Sequence, residues 1–514
     1  MMEKQAEQTL DVLREDLPLQ RFVGEGVTQA VVEGDVALPG GLREETRVLT
    51  CEAMATAART SAENGRVVLD GKTVFHILYT QGDPTRVNAL EASADFTHSS
   101  DISGAQAGMT AHTALTVEHV QASAQGGRLH LTAVVRVHSR VFTDEPLSVV
   151  SGLRGLDGLM TRTQTMRSAR TAGFGAQDVL IRDECELGSV LQITDTLYAT
   201  AVATVQDVMG GEGRATLSGV IQLEATHLSN MPAHPVVITR HSLPFEETIS
   251  LAGETGDELC CSVCVRDVAV ISQESGEDGE RTLRSEVLLG LRAESVRTRE
   301  VCLLTDAYTT QGDTLAPEGQ EVRMGTAHRA IHTAESGKLT LYADGQPPIR
   351  TPLKATLRPV IADVTRSGGR LLVEGTMEAS LLYMTDDDPA PQVFHTEEPF
   401  RTVFACDPGL PEALTLTAAC VDPIPVTGDR VELKFILHLD CYDVALADNS
   451  LITGVSTQPA PAEEAGILLC FSHPHETVWE LAKRCRVSPE SLRSMNPALR
   501  DGAAESQRVL LWKR

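Results

Sequence analysis

Aromatic residues are scarce in this chain, at 4% of 514 residues, and only two of them are Trp. So sparse a set cannot build the stacking surface that single-stranded nucleic acid needs. Positive charge is also in short supply: 44 Lys/Arg stand against 71 Asp/Glu, a formal net of −27. A phosphate backbone would be repelled over most of such a surface, so nucleic acid is excluded as a partner. No apolar run approaches the roughly 18 residues that a membrane span requires. The opening MMEKQAEQTLDVLRED has no apolar core, which argues against a signal peptide or an anchor and predicts a cytoplasmic protein. Cysteines number eleven, an odd and scattered set that makes no disulfide framework and predicts buried thiols in a reducing compartment.

Catalytic and metal signatures are equally thin. Cys261-Ser262-Val263-Cys264 is a CxxC with Cys260 before it, but no second pair or His couple stands at ligand spacing, and the segment reads as a strand. Asp386-Asp387-Asp388-Pro389 lacks alternating cation ligands and reads as a solvated turn. His76, His130 and His138 fall in strand runs and read as sheet residues rather than bases. There is neither a nucleophile elbow nor a phosphate loop. The chain is therefore read as a non-enzyme with no catalytic residue, no metal site and no cofactor.

What is present is a repeat. Three segments align: Gly65-Arg66-Val67-Val68-Leu69-Asp70-Gly71, Gly213-Arg214-Ala215-Thr216-Leu217-Ser218-Gly219 and Gly369-Arg370-Leu371-Leu372-Val373-Glu374-Gly375. Each is followed by a Phe, at Phe96, Phe245 and Phe400, after 31, 32 and 31 residues from the first Gly. The periods of 148 and 156 residues suit tandem domains rather than a solenoid. Asn64-Gly65 fits a type I′ hairpin turn, where both central residues take positive φ. Alternating runs follow several turns: Leu129, Leu131, Val135 and Val137 after Gly127; Val431, Leu433, Phe435 and Leu437 after Gly428. Domain two has the weaker counterpart Leu283 and Val287. Such alternation marks strands with one wet face and one buried face. The predicted fold is mainly β: three tandem sandwich or barrel-like repeats of antiparallel hairpins plus a small C-terminal βααβ module. Boundaries fall at 20–155, 156–308 and 309–457, after an N-terminal segment, 1–19, expected to be helical.

Ser456–Ala465 is rich in Pro, Ala and Glu and reads as a linker, which separates the third repeat from the tail over 458–465. The module 466–514 carries eight Lys/Arg and five Asp/Glu, a net of +3, against −30 for the rest. An acidic body with a basic tail implies two kinds of partner surface. Within the tail, Thr477 and Glu480 form a capping box. Val478, Leu481, Ala482 and Cys485 share one helical face. Ser488-Pro489 starts a second helix, which Asn496-Pro497 stops, with Val487 and Leu492 as a hydrophobic staple. Trp479 should be partly buried and Trp512 more exposed. The linker predicts a tail that unfolds independently of the repeats.

The run His475-Glu476-Thr477-Val478-Trp479-Glu480-Leu481-Ala482 and the pair Asn496-Pro497 resemble the LysM domain. His475-Glu476 replaces that family's Gly-Asp in a loop that lines the sugar groove of glycan-binding members. The last strand departs as well, ending Leu511-Trp512-Lys513-Arg514. Val31–Val36, the hairpin after Gly65, Ile77-Leu78-Tyr79 and Val117–Val120 together resemble the SPOCS domain of spore-envelope assembly proteins. SPOCS repeats followed by one LysM resemble the SipL-type morphogenetic proteins. That resemblance implies a scaffold made in the mother-cell cytoplasm and recruited to the forespore surface. It also implies a coat-basement morphogenetic ATPase as the partner of the tail, with other coat proteins as further partners. The binding surface, for protein or glycan, would comprise His475, Glu476, Thr477, Val478, Asn496, Pro497, Ala498 and Leu499. The alternative function is a peptidoglycan- or chitin-type glycan binder. A hydrolase assembled from distant residues is a third class.

Overall fold

Turn chemistry sets the register of the chain. In the computed structural model, which describes residues 10–41, 45–125, 127–274, 280–405, 414–460 and 466–513, Glu63 pairs with Arg66 across Asn64-Gly65. Gly211 likewise pairs with Arg214 across Glu212-Gly213, and Ser367 with Arg370 across Gly368-Gly369. Gly368 and Gly369 both take positive φ, +58° and +76°, as a type I′ turn demands. At the first turn Gly65 alone does, at +79°, which corrects the expectation for Asn64. Only Gly adopts positive φ without steric cost, so a turn that needs it once puts it on the glycine.

Three sets of strands follow one plan. The first comprises β1 (Asp11–Leu17), β2 (Arg21–Val36), β3 (Arg47–Glu63), β4 (Arg66–Gln81), β5 (Asp83–Asp101), β6 (Thr110–Gln125), β7 (Arg128–Thr143) and β8 (Leu147–Arg154). The second comprises β9 (Leu159–Leu187), β10 (Ile193–Gly211), β11 (Arg214–Ser229), β12 (Val236–Ser250), β13 (Ala252–Gly253), β14 (Glu258–Glu274) and β15 (Arg281–Thr309). The third comprises β16 (Thr314–Tyr342), β17 (Thr351–Ser367), β18 (Arg370–Met384), β19 (Gln392–Ala405), β20 (Leu414–Thr427) and β21 (Arg430–Gln458). In each set three consecutive strands form a meander: β3-β4-β5, β10-β11-β12 and β17-β18-β19. The opposing sheet runs β2-β7-β6, β9-β15-β14 and β16-β21-β20. Alternating side chains fill the space between the sheets. Leu129, Leu131, Val135 and Val137 are buried in the first set, Leu283 and Val287 in the second, and Val431, Leu433, Phe435 and Leu437 in the third.

The meanders repeat in their irregularities as well. Gly71 pairs with Phe96, Gly219 with Phe245 and Gly375 with Phe400. A Cβ at any of the three would run into its Phe ring, so glycine is required for the ring to lie over the strand. On the other side of each glycine the neighbouring strand bulges, at Ala58, Gln206 and Ala362. A second bulge lies at Leu49, Leu197 and Leu353. A bulge re-aims a side chain. Here it turns these three leucines into one shared core, where Leu78, Leu382, Tyr198 and Val236 join them.

The long hairpin of each set explains the N-terminus. β9 and β15 pair without a gap from Leu159–Thr309 to Leu187–Arg281, and β16 and β21 do the same from Thr314–Gln458 to Tyr342–Arg430. In the first set the ladder is cut between β1/β8 and β2/β7, where Pro18 and Pro146 stand. Proline has no N–H to give a ladder. Residues 11–17, expected to be helical, are therefore the far end of this hairpin. Leu10, Leu13 and Leu17 fit a helical spacing, but the open edge of β8 offers the backbone a complete set of partners. Residues 1–9 lie outside the described residues.

The repeats pack on one another. Leu17, Leu19 and Val149 meet Met166 and Leu303 of the second set and Val322, Met324 and Leu451 of the third. Each such side chain contributes about 1.5–3 kcal/mol on burial. A single bridge, Arg21 to Met324, joins the sheets of the first and third sets.

The tail consists of β22 (Gly466–Phe471), α1 (Val478–Cys485), α2 (Pro489–Met495) and β23 (Arg508–Lys513), with β22 antiparallel to β23. Half of the expected linker, residues 461–465, lies outside the described residues. Its first residues, Ser456–Gln458, are the end of β21.

Candidate functional site

Local sequence builds the tail. The Thr477 hydroxyl accepts from the Glu480 N–H, and the Glu480 carboxylate accepts from the Thr477 N–H, so the capping box is complete. Ser488 caps α2, with Pro489 at its first position. Val478, Leu481, Ala482, Cys485, Val487 and Leu492 are all buried in one small core with Val509 and Leu511.

Most of the sequence-predicted site residues are engaged in contacts within the tail. Glu476 is held by Arg484 at 2.7 and 2.8 Å and accepts from the His473 N–H. Its bond to Arg484 keeps the carboxyl below its ordinary range. Thr477 caps α1, and Val478 is buried while its N–H donates to Asp501 at 2.7 Å. Asn496 bridges α2 to β23: its amide donates to the Leu510 carbonyl at 2.8 Å and its side-chain oxygen accepts from the Leu510 N–H at 2.8 Å. Leu499 packs against the tail core. His475, at φ +63°, Pro497 and Ala498 are exposed. The loops carrying His475 and Gly502 are tied together, since the His475 N–H donates to the Ala503 carbonyl and the Gly502 N–H to Glu476. The set thus forms one edge of the tail, with three exposed side chains.

A larger surface lies on the ribbon. Ile467 stands opposite Trp512, Leu469 opposite Leu510 and Phe471 opposite Arg508. Directly opposed residues share a face, and on this one Ile467 is 74% exposed, Phe471 59%, Trp512 52%, Leu469 51% and Leu510 42%. The reverse face carries the buried Val509 and Leu511. Strict alternation in Ile467-Leu468-Leu469-Cys470-Phe471 would predict a polar outer face, but both faces here are apolar. A contiguous exposed patch of this kind marks a contact surface.

The tail is also docked, which corrects the expectation of an independent module. Trp479 Nε1 donates to Asp306 Oδ2 at 2.8 Å, and Lys483 Nζ reaches Asp306 Oδ1 at 2.5 Å. The Tyr308 hydroxyl donates to the Val487 carbonyl at 2.7 Å, and its ring meets Trp479 edge-on at 5.1 Å between centroids. Arg486 donates to the carbonyls of Thr309 and Gly312. All of these body groups lie at the β15–β16 turn, so a polar anchor and an aromatic contact hold α1 against the repeats.

Charged groups are buried where the repeats meet. Thr50, Tyr198 and Lys354 follow the three bulged leucines. Lys354 is 2% exposed and lies 2.9 Å from Glu52, which also accepts from the Tyr198 hydroxyl at 2.9 Å. Burial opposes the Glu52 charge, yet the Lys354 ammonium holds its carboxyl below the usual value. Burial likewise opposes the charge of Lys354, but Glu52 keeps it above its ordinary value. A second cluster centres on Glu294, 1% exposed, which accepts from Arg292 at 2.5 Å and from Thr171 at 3.1 Å and lies 3.1 Å from His328. Burial and the neighbouring Arg292 push His112, beside this cluster, down to about 3. A cleft of about 1010 Å³ opens where the three sets meet and is lined by residues of β3 and β6, of β10 and β11, and of β17 and β20.

Cys185 Sγ lies 3.2 Å from His241 Nδ1, with Thr239 on the other ring nitrogen. Burial raises that thiol and lowers that imidazole, which disfavours a thiolate–imidazolium pair. Cys261 and Cys264 are three apart on β14 and so point to opposite faces. Among the described residues, no group of three His, Cys, Asp or Glu side chains could hold a metal ion. Among those residues, too, no helix is long and apolar enough to cross a membrane.

Residues 46–125 match the family described as SipL, SPOCS domain. The matched segment runs from β3 to β6, the meander of the first set and the strand after it. The match supports a SipL-type family and a sporulation-related role, in a family not known for enzymes. No curated protein and no solved structure matches the chain.

Proposed function

We propose that the chain is a non-enzymatic scaffold of endospore-envelope assembly, made in the mother cell and recruited to the forespore surface. Its tail, a LysM-type module, engages the coat-basement morphogenetic ATPase, and the repeats offer surfaces to other coat proteins. The observation that carries this reading is the apolar ribbon of Ile467, Leu469, Phe471, Leu510 and Trp512, presented by a module that is itself anchored to the body. A binding face fixed to its scaffold loses little orientational freedom on association. The capture of Glu476 by Arg484 supports a protein partner over glycan, because the carboxylate in the groove loop is already satisfied.

The test is co-purification from sporulating cells of three proteins: the unaltered chain, a chain lacking 466–514, and the Leu469→Glu/Phe471→Glu variant. Both altered chains should keep the β far-ultraviolet signal and lose the ATPase. Full retention of the partner by the double variant would refute the ribbon as its contact. Saturable sedimentation of the full chain with purified peptidoglycan would favour the glycan reading instead.

A further inference from the structure

The core of the tail holds two thiols side by side. Cys470 lies on β22 and Cys485 at the end of α1, with their Sγ atoms 3.9 Å apart. The remaining cysteines named above sit singly in strands, or, like Cys260 and Cys261, on opposite faces of one strand. Cys470 is partly exposed and Cys485 is 8% exposed.

We infer that Cys470 and Cys485 form a redox site, a dithiol that closes to a disulfide staple when a low-molecular-weight disulfide is supplied. To form the bond the sulfurs must approach from 3.9 Å to about 2 Å. The more accessible Cys470 attacks as thiolate on one sulfur of the added disulfide. The S–S bond of the reagent breaks, a mixed disulfide forms on Cys470, and the first small thiol leaves. Cys485 then attacks the Cys470 sulfur, the second small thiol leaves, and the intramolecular bond forms. Two cysteine thiols are oxidised, one small disulfide is reduced to two thiols, and no proton is gained or lost overall.

The placement gives the bond a purpose. β22 carries Ile467, Leu469 and Phe471, the exposed ribbon. α1 carries Trp479 and Lys483, the anchor to Asp306. The bond would tie the exposed strand directly to the docking helix and close a short loop, which restrains the unfolded tail. In a reducing compartment the pair stays open, and in oxidising surroundings it locks. The chemistry at the two sulfurs is independent of which partner the ribbon takes.

The experiment treats the full chain with oxidised glutathione, alkylates the remaining thiols and reads intact mass and peptide maps. The expected result is joint protection of Cys470 and Cys485 without retained glutathione, together with a higher urea midpoint by Trp fluorescence. Dithiothreitol should reverse both. Cys470→Ser should abolish the shift, and Cys302→Ser, at an exposed thiol of β15, should leave it intact. Cys485→Ala is the second variant, and it should trap glutathione on Cys470. Stable glutathionylation of Cys470 in the unaltered chain, or a bond from either cysteine to another partner, would overturn the proposal. So would joint protection with an unchanged midpoint, because the bond would then staple nothing.

Discussion

Trp479 donates its indole N–H to Asp306, 173 residues earlier, and Lys483 reaches the other oxygen of the same carboxylate. One acidic side chain at the end of β15 therefore receives both of these contacts from α1. The two Trp of the chain lie in the tail, so their fluorescence reports on this joint.

The unaltered chain should accordingly unfold in urea with coincident Trp and far-ultraviolet transitions. Asp306→Ala removes two hydrogen bonds to a charged acceptor, and the tail should lose about 2 kcal/mol. The Trp transition should then separate and move to lower urea. Separate transitions already present in the unaltered chain would mean that the joint is too weak to couple tail and body.

The glycine–phenylalanine pairs predict a graded series. Gly71→Ala meets the Phe96 ring, which can tilt, and the Thr56 carbonyl at 3.0 Å. Gly219→Ala and Gly375→Ala collide with the backbone carbonyls of Thr204 and Val360, which cannot move without breaking a bulge. Losses of about 1–3 kcal/mol are expected for overpacking, smallest at Gly71. Urea midpoints of the three variants check the order.

Lys354 and Glu52 form a buried pair, so removing one partner strands the other. Lys354→Met should destabilise by about 3 kcal/mol, and adding Glu52→Gln should return part of it. A double variant as unstable as the sum of the single ones would show that the two groups do not act as a pair.

Acid should loosen the fold earlier than carboxylates alone would allow. Burial lowers His112 to about 3 and His227 to about 4, from an ordinary 6.5. Between those values the unfolded chain binds the extra protons, so this stability is full above pH 6.5 and falls as the pH drops. Glu52 and Glu294, held below their ordinary range, act in the same direction at lower pH. His332, raised against the effect of burial by its bond to Asp440, acts oppositely, and its share is lost as the pH rises. The urea midpoint should be lower at pH 5 than at pH 7.5, and His112→Gln should flatten that difference. An equal midpoint at both values would count against buried neutral imidazoles.

Some of this was written in the local sequence. Gly65, Gly213 and Gly369 announce hairpins because a turn residue acts on its immediate neighbours. Leu129 to Val137 announces a half-buried strand because side chains alternate. Thr477 and Glu480 announce a helix start because both bonds lie within one turn. Leu49, Leu197 and Leu353 share the same 148- and 156-residue spacing, so the bulge positions too carry the period of the repeat.

Tertiary structure decided the rest. Residues 11–17 have a helical spacing, and only the edge of β8, about 140 residues away, makes them a strand. The tail has all the marks of a tethered module, and its contacts with Asp306, Tyr308, Thr309 and Gly312 fix it in place. The predicted groove residues Glu476, Thr477 and Asn496 have polar side chains, and only their folded partners show that those side chains are already engaged. Lys354 looks like a surface lysine until Glu52 and Tyr198 from two other repeats surround it. Periods, turns and caps are short-range, so the sequence alone determined them. Which surface stays open depends on which groups find partners far along the chain, and packing alone decides that.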